Sequence, residues 1–106
     1  MLRGMRVIKR LALERFWRNW PDAESPLRQW YLLTKRAKWR NFADVKRVFG
    51  QTDHARVRSG ESVAIFDIGG NKYRLIAAIS YTKSKVYVLR ILTHKEYDTD
   101  QWKKQL

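Results

Sequence analysis

The spacing of apolar residues changes near the middle of this chain, and that change limits the possible folds more than any other feature of the sequence. Apolar residues recur at helical spacing within residues 9–20 and 27–38. From residue 54 onward they instead form short runs of strand length, separated by turn-forming residues. The sequence therefore predicts helices in the first half and a β-sheet in the second.

The first half is predicted to contain a short strand and two helices. The β-branched stretch 5–9 is predicted to be the strand, and residues 1–4 are interpreted as an extension before it. Pro21 stops the first helix because proline has no amide hydrogen to donate. Ser25 followed by Pro26 has the form of a helix cap and first helical position, so a second helix is expected to fold back on the first.

The second half is predicted to be a β-meander. Residues 39–50 are expected to form a loop with a short turn of helix, and four strands follow it, at 54–58, 62–68, 72–81 and 85–92. The tight turns between the strands imply antiparallel pairing. Both faces of the last two strands are largely apolar, so we expect helices on one face and a short C-terminal helix or tail on the other. The prediction is a single α+β domain over residues 1–106.

The balance of charge suggests the kind of partner. Lysine and arginine number 23 against 10 acidic residues, for a net charge of +13, and the excess is present in both halves. A hydrophobic content of 44% nevertheless excludes a disordered chain. So basic a small domain suggests a polyanionic partner, most often nucleic acid, although an acidic protein would be attracted by the same field.

Composition also excludes several classes of protein. The chain has no cysteine, and its two histidines lie forty residues apart, so no disulfide, thiolate chemistry, metal or cofactor is expected. No apolar run is long enough to cross a bilayer, and basic residues interrupt the N-terminal apolar stretch, unlike in a signal peptide. We therefore expect a cytoplasmic protein with no membrane association.

Three stretches of the sequence resemble a known family. They are NFADVKRVF at 41–49, DIGGNKYRLIAAI at 67–79 and ILTHKEYD at 91–98. Together with the order of predicted elements, they resemble the HigB toxins of bacterial toxin-antitoxin systems, within the RelE/ParE-like superfamily, from Met5 to Asp98. The resemblance implies a RelE-like fold and an mRNA interferase, a small basic ribonuclease that cuts messenger RNA, in many relatives on the ribosome. It also implies a HigA-type helix-turn-helix antitoxin, through which alone operator DNA would be reached.

Metal-free RNA cleavage by such an enzyme would set three chemical tasks. The substrate's own 2′-hydroxyl attacks the adjacent phosphorus, so its proton must be taken, the phosphorane stabilised and the 5′ leaving oxygen protonated. His94 is the candidate acid or base because an imidazole ordinarily has a pKa of about 6.5. Tyr97 would lie on the same face if a helix begins near Thr93.

Two roles are open for Tyr97. It is a proton-transfer partner of His94 if Lys95, Lys72 and Arg74 lower the pKa of its phenol from about 10. Alternatively its ring stacks on an RNA base.

A purely structural alternative exists for the same motif. Thr93 would cap a helix, Glu96 would complete a capping box, and Tyr97 would bury its ring. The other histidine, His54, is interpreted as a surface or strand residue.

Arg74 and Arg90 are the candidates for stabilising charge on the phosphorane. Each lies in an apolar strand, and we expect Arg90 to share a face with Val88 and Leu92. Because a buried arginine is costly, each must pair with a carboxylate or face a ligand. For Arg74 the carboxylate alternative is Asp67, across the glycine hairpin.

Five other residues are predicted to bind the substrate: Asn71, Lys72, Lys95, Lys38 and Arg40. The first two could equally be ordinary turn residues, and the last two could belong to a solvated helix end.

Two other functions remain open at this point. A ParE-like toxin acting on a protein would tolerate replacement of His94 and Tyr97. A non-catalytic RNA-binding module would need only the charge. The THKEYD motif and the abundance of cations favour the ribonuclease.

Overall fold

The computed structural model describes residues 4–106 and forms one five-stranded sheet with helices on both faces. The elements are β1 (Arg6–Ile8), α1 (Leu11–Asn19), α2 (Glu24–Arg36), α3 (Phe42–Val48), β2 (Asp53–Arg56), β3 (Ser62–Ile68), β4 (Tyr73–Ser80), β5 (Lys85–Thr93), α4 (His94–Asp98) and α5 (Gln101–Gln105). The strand order is β1-β5-β4-β3-β2. This confirms the predicted α+β fold, while most of the predicted N-terminal extension, residues 1–3, lies outside the described chain.

The sheet is an antiparallel meander with one parallel strand at its edge. Strands β2 to β5 pair in sequence order, each antiparallel to the next. The three-residue β1 pairs with β5 in parallel, with Val7 opposite Val86. The two edges of the sheet are therefore β1 and β2.

The beginning of α2 differs from the prediction. A 3₁₀ turn at Pro21–Ala23 leads directly into the helix at Glu24, and no side chain caps it. The prediction that Ser25 is the cap is therefore wrong. Pro26 occupies the third helical position, which it tolerates because amide groups in the first turn have no partner within the helix.

The first hydrophobic core lies between the sheet and helices α1 to α3. Phe66 of β3 is its centre, with the Trp30 ring 5.4 Å and the Trp39 ring 6.2 Å from its own. The predicted turn of helix in this region is α3, where the Asn41 side chain accepts a hydrogen bond of 2.9 Å from the amide of Asp44. Asparagine is among the best N-cap residues, which explains where this helix begins.

The second hydrophobic core lies on the opposite face of the sheet, beneath the C-terminal helices. Its buried members are Val57, Val63, Ile65, Ile76 and Trp102. The prediction that the C-terminal segment covers this face is confirmed. No helix in residues 4–106 is long and apolar enough to cross a membrane.

A β-bulge in β5 changes which side chains share a face. Ile76 pairs with Arg90 and Ala77 pairs with Val88, so Leu89 is an extra residue on β5. The bulge reverses the alternation, and Arg90 lies on the opposite face from Val88. The predicted grouping of Arg90 with Val88 is wrong, and the bulge instead places Arg90 on the same face as Ile76.

Candidate active site

Arg74 is the most enclosed charged residue of the described chain. Only 9% of the residue is exposed. Its Nε lies 3.2 Å from Oδ1 of Asp67, its Nη1 donates to the carbonyl of Tyr73 at 3.2 Å, and its Nη2 donates to Oδ1 of Asn71. The carboxylate pairing considered from the sequence is therefore present. A guanidinium has five N–H groups, so two remain for a ligand.

Arg74 also contacts the ring of Tyr97. Its guanidinium carbon lies 5.2 Å from the ring centroid, within the range of a cation–π contact. The Trp102 ring stacks on the Tyr97 ring at 5.4 Å and 16° between planes, and its Nε1 donates to the Tyr97 carbonyl at 3.1 Å. The tyrosine ring is thus packed by protein groups from β4 and α5.

The environment of Tyr97 raises the pKa of its phenol. Burial is the main cause, and the negative charge of Asp53 adds to it, while Arg74 only partly opposes the shift. The prediction that nearby cations lower this pKa is wrong. At neutral pH the Tyr97 hydroxyl is therefore a proton donor, and it makes no hydrogen bond within residues 4–106.

His94 is the first residue of α4, directly after the end of β5. Its amide donates to the Lys72 carbonyl at 2.9 Å, which ties it to the β3–β4 hairpin. Its Nδ1 lies 2.9 Å from Oδ2 of Asp98, and 43% of its side chain is exposed. The imidazole is thus held at one nitrogen, while Nε2 has no partner among the described residues.

A capping box fixes the start of α4. The Glu96 amide donates to Thr93 Oγ1 at 3.2 Å, and the Thr93 amide donates to Glu96 Oε1 at 3.0 Å. The structural interpretation of THKEYD as a helix start is therefore correct. It is compatible with a chemical role, because the cap also determines where His94 and Tyr97 are placed.

Arg90 and three of the five other predicted substrate-binding residues lie near this cluster. Asn71 supports Arg74 as described above, and Lys72 Nζ lies 3.0 Å from Oδ2 of Asp22. Arg90 is exposed and donates to the Leu89 carbonyl at 2.8 Å. Lys95 is exposed on α4 and has no ion pair within the described chain. Arg90 and Lys95 are thus more available to a ligand than Asn71 and Lys72.

The remaining two, Lys38 and Arg40, lie at the other end of the sheet. The carbonyl of Ala37 accepts from Met5 at 2.9 Å, next to the start of β5. The nine residues of β5 separate that end from His94, a distance of about 26 Å at the usual rise per residue. Lys38 and Arg40 therefore do not join the His94 cluster, and any contact they make with RNA would be a separate one.

Asp98 and Trp102 were not singled out from the sequence. Asp98 follows His94 by four residues, and helical spacing alone would have brought the two together. From the sequence, Trp102 is only an aromatic residue in a short C-terminal segment, and nothing there indicates that it contacts Tyr97. Both determine how His94 and Tyr97 are held. No three histidine, aspartate or glutamate side chains of residues 4–106 are grouped closely enough to hold a metal ion.

The chain is similar to a known family and to several known proteins. The model of a family described as HigB toxin, the RelE-like toxic component of a toxin-antitoxin system, matches residues 23–100. The mRNA interferase HigB of Escherichia coli O6:H1 (strain CFT073) is 27% identical over 94 residues, which cover 89% of both chains. The mRNA interferase toxin HigB of Escherichia coli K12 is 35% identical over 54 residues, 51% of this chain and 50% of that protein. The mRNA interferase HigB of Shigella flexneri matches to the same extent.

Proposed function

Because this chain belongs to the HigB family, the RelE-like toxic components of toxin-antitoxin systems, we propose that it is an endoribonuclease that cuts messenger RNA. Three relatives share the name mRNA interferase, and one of them matches over most of both chains. The observation that carries the proposal is the arrangement of His94. Asp98 holds its Nδ1, Nε2 is unoccupied among described residues, and Tyr97 lies one helical turn away beside Arg74.

The proposed reaction is attack by the substrate's own 2′-oxygen. The 2′-hydroxyl loses its proton and forms a bond to the adjacent phosphorus, and the bond from phosphorus to the 5′-oxygen breaks. The 5′-oxygen takes up a proton and leaves as a hydroxyl. The products are a 2′,3′-cyclic phosphate and a 5′-hydroxyl end.

His94 is the proposed base in this reaction. A neutral imidazole that donates its Nδ1 hydrogen to Asp98 carries its lone pair on Nε2, where it can accept the 2′ proton. The interaction with Asp98 also fixes the orientation of the imidazole ring. General base catalysis of this kind typically accelerates a reaction by about 10²–10⁴-fold.

Tyr97 is the proposed acid. Its raised pKa keeps the phenol protonated, so the hydroxyl can donate to the leaving 5′-oxygen. The alternative role as a stacking platform for a base is less favoured, because Trp102 already stacks on the ring and Arg74 lies over it.

Arg74 is proposed to stabilise the charge that develops on the phosphorane. Its ion pair with Asp67 and its bond to Asn71 fix the guanidinium in advance of substrate binding, and preorganised donors are the most effective ones. Arg90 and Lys95 would then hold neighbouring phosphates.

Two partners follow from the family and are part of the proposal. An antitoxin of the HigA type would bind the toxin and hold it inactive, and would connect it to operator DNA. The ribosome is the proposed location of cleavage, where the messenger is presented unpaired.

The test is to express the chain with and without the neighbouring gene and to map the 5′ ends of cellular RNA. We expect new 5′ ends and growth arrest only when the toxin is expressed alone. His94→Ala should lower cleavage by about 10²–10⁴-fold, the contribution of a general base. Tyr97→Phe, which keeps the ring stack, should also lower cleavage, while Gln105→Ala on exposed α5 serves as the control.

The results also separate the two other functions. Undiminished growth arrest by folded His94→Ala and Tyr97→Phe, without new RNA ends, would indicate a toxin acting on a protein. RNA binding without cleavage by the unaltered chain would indicate a non-catalytic module.

A further inference from the structure

A cavity lies on the opposite side of strand β2 from Tyr97. It has a volume of about 370 Å³ and occupies the corner between α3 and the edge of the sheet. Its lining includes three aromatic side chains, Phe42, His54 and Tyr81, together with Ser62 and Glu61 at the rim. The proposed cleavage reaction uses none of these residues.

The lining combines flat rings with free polar groups. The rings of Phe42 and His54 meet edge to face at 5.0 Å and 86°. Neither the His54 ring nor the Tyr81 hydroxyl has a hydrogen-bond partner in the described part of the chain. Burial, aided by the charge of Asp44, raises the pKa of Tyr81, so this hydroxyl remains a donor at neutral pH.

Three exposed cations lie close along the chain to residues that line the cavity. Lys46 lies one helical turn after Phe42 on α3, and Arg56 lies on the same face of β2 as His54, where it pairs with Ser62. Lys83 follows Tyr81 by two residues. These three cations form no ion pair within residues 4–106, so their charge is available to an anionic ligand.

We propose that the cavity between α3 and β2 binds one unpaired base of an RNA, at a position separate from the cleavage site. This inference rests on the proposed function, because it takes RNA as the ligand of the protein. Aromatic rings that hold a base, with cations that hold the flanking phosphates, are how proteins grip single-stranded RNA. An acidic peptide would use the cations but would leave the aromatic lining without a matching planar group.

The position of β2 allows one RNA strand to reach both sites. β2 is an edge strand, so no further strand blocks the way around it. Consecutive residues of a β-strand point to opposite faces of the sheet. The charge of Asp53 raises the pKa of Tyr97 on one face, while the next residue, His54, lines the cavity on the other. An RNA strand bound around this edge of the sheet would therefore pass from the cavity to the cleavage site.

The test measures binding without cleavage. Single-stranded RNA carrying 2′-O-methyl groups throughout lacks the attacking hydroxyl, and its affinity is measured by fluorescence anisotropy for the full chain. The variants are His54→Ala and Tyr81→Phe, with Gln29→Ala on the exposed face of α2 as the control. A series of the same RNA, with one base removed at a time, identifies the position that the cavity recognises.

We expect His54→Ala to weaken binding by roughly 5- to 150-fold, the range for loss of one stacked base. Tyr81→Phe, which keeps the ring, should weaken it less. One abasic position should weaken binding to the unaltered protein but cause no further loss in His54→Ala. Equal affinities of the folded variants and Gln29→Ala for both the oligonucleotide and ribosomes, with an unchanged abasic penalty, would overturn the proposal. So would loss of antitoxin binding alone, since the cavity would then belong to a protein partner.

A second arm of the experiment uses ribosomes without messenger RNA. If His54→Ala weakens binding to both ribosomes and the oligonucleotide, the cavity accepts a base from either kind of RNA. If it weakens binding to ribosomes alone, the base belongs to ribosomal RNA. This result is independent of cleavage. The experiment can therefore confirm the binding site even if the proposed nuclease activity is absent. It can equally reject the binding site while the nuclease activity is confirmed.

Discussion

Arg74 brings a positive charge into the sheet, and its neighbours decide how that charge can act. Asp67 balances it, Asn71 orients it, and the ring of Tyr97 lies beneath it. A side chain held by so many groups loses little freedom when a phosphate arrives. The arrangement packs β4 and, under the proposed function, would also hold the scissile phosphate.

Replacement of Arg74 should separate its contribution to RNA cleavage from its contribution to the stability of the fold. Arg74→Ala is expected to lower cleavage by about 10²–10³-fold, as does loss of one preorganised donor elsewhere. Cut positions should stay the same, because the arginine acts on the phosphate and not on a base. The measurement is 5′-end mapping together with initial rates.

Arg74→Lys is the matched variant, since it keeps the charge but loses the fork of donors. We expect it to restore only part of the activity. Stability should fall by about 1–2 kcal/mol in Arg74→Ala, because Asp67 loses its partner but remains partly hydrated. Altered cut positions would instead make Arg74 a specificity residue.

A pair of titrating residues beside the cluster predicts how stability depends on pH. The Tyr73 hydroxyl donates to Asp22, and this bond lowers the pKa of Asp22 below its usual 3.8 and raises the pKa of Tyr73 to about 12. Its contribution to stability should be complete above 3.8, the usual pKa of the Asp22 carboxyl, and below 10, the usual pKa of the Tyr73 phenol. It should decrease as pH falls through the lowered pKa of Asp22, and as pH rises from 10 towards 12.

Tyr73→Phe tests this directly by urea unfolding across the pH range. The variant should be less stable than the unaltered chain at neutral pH, and the difference should shrink at acidic pH because Asp22 becomes protonated. A difference in the free energy of unfolding that is the same at acidic and neutral pH would show that the hydroxyl acts only through packing.

Among the elements, α5 is short but covers a large part of the second core. Trp102 is 2% exposed and packs on both the sheet residues of that core and the Tyr97 ring. A helix of five residues has little stability of its own, and the packing of this side chain helps to attach it to the sheet. Helix α5 therefore holds the Tyr97 ring in place through its contact with Trp102.

Trp102→Ala should destabilise the fold by about 3–5 kcal/mol, the usual cost of removing a buried tryptophan. It should also weaken catalysis, because Tyr97 loses its stacking partner. Lys104→Ala, exposed on the same helix, is the control and should unfold like the unaltered chain. Chemical denaturation and RNA cleavage are the two measurements. Equal unfolding of the two variants would contradict the packing described here.

Strong local patterns in the sequence predicted most of these elements. Helical spacing gave α1, and the turn residues gave all four strands of the meander. The bulge at Leu89 could not be predicted, because one additional residue leaves an apolar run looking the same. The parallel partner of β1 was equally hidden, since three residues are too few to specify a neighbour.

The candidate site was predictable in its residue types but not in its electrostatics. His94, Tyr97 and Arg74 come from adjacent elements, and two of them are in contact. The pKa of Tyr97, however, depends on burial and on Asp53 from a distant strand. Only the tertiary structure brings these together.

At the scale of the whole molecule, the net charge of +13 governs encounters with partners. The proposed antitoxin is expected to associate rapidly at low salt and more slowly as ionic strength rises, by roughly 10-fold or more, because salt screens long-range attraction. Stopped-flow measurement of the association rate over a series of salt concentrations tests this. Dissociation should change much less, and a rate insensitive to salt would show that charge does not guide the encounter.

The pairing of β1 with β5 limits the order in which the protein can fold during translation. β1 has no partner strand until β5 has been translated, and α4 and α5 follow β5 along the chain. His94, Tyr97 and Trp102 all follow β5 in the chain, so none of them is in place when the sheet closes. The proposed site can therefore assemble only after every strand of the sheet has been translated.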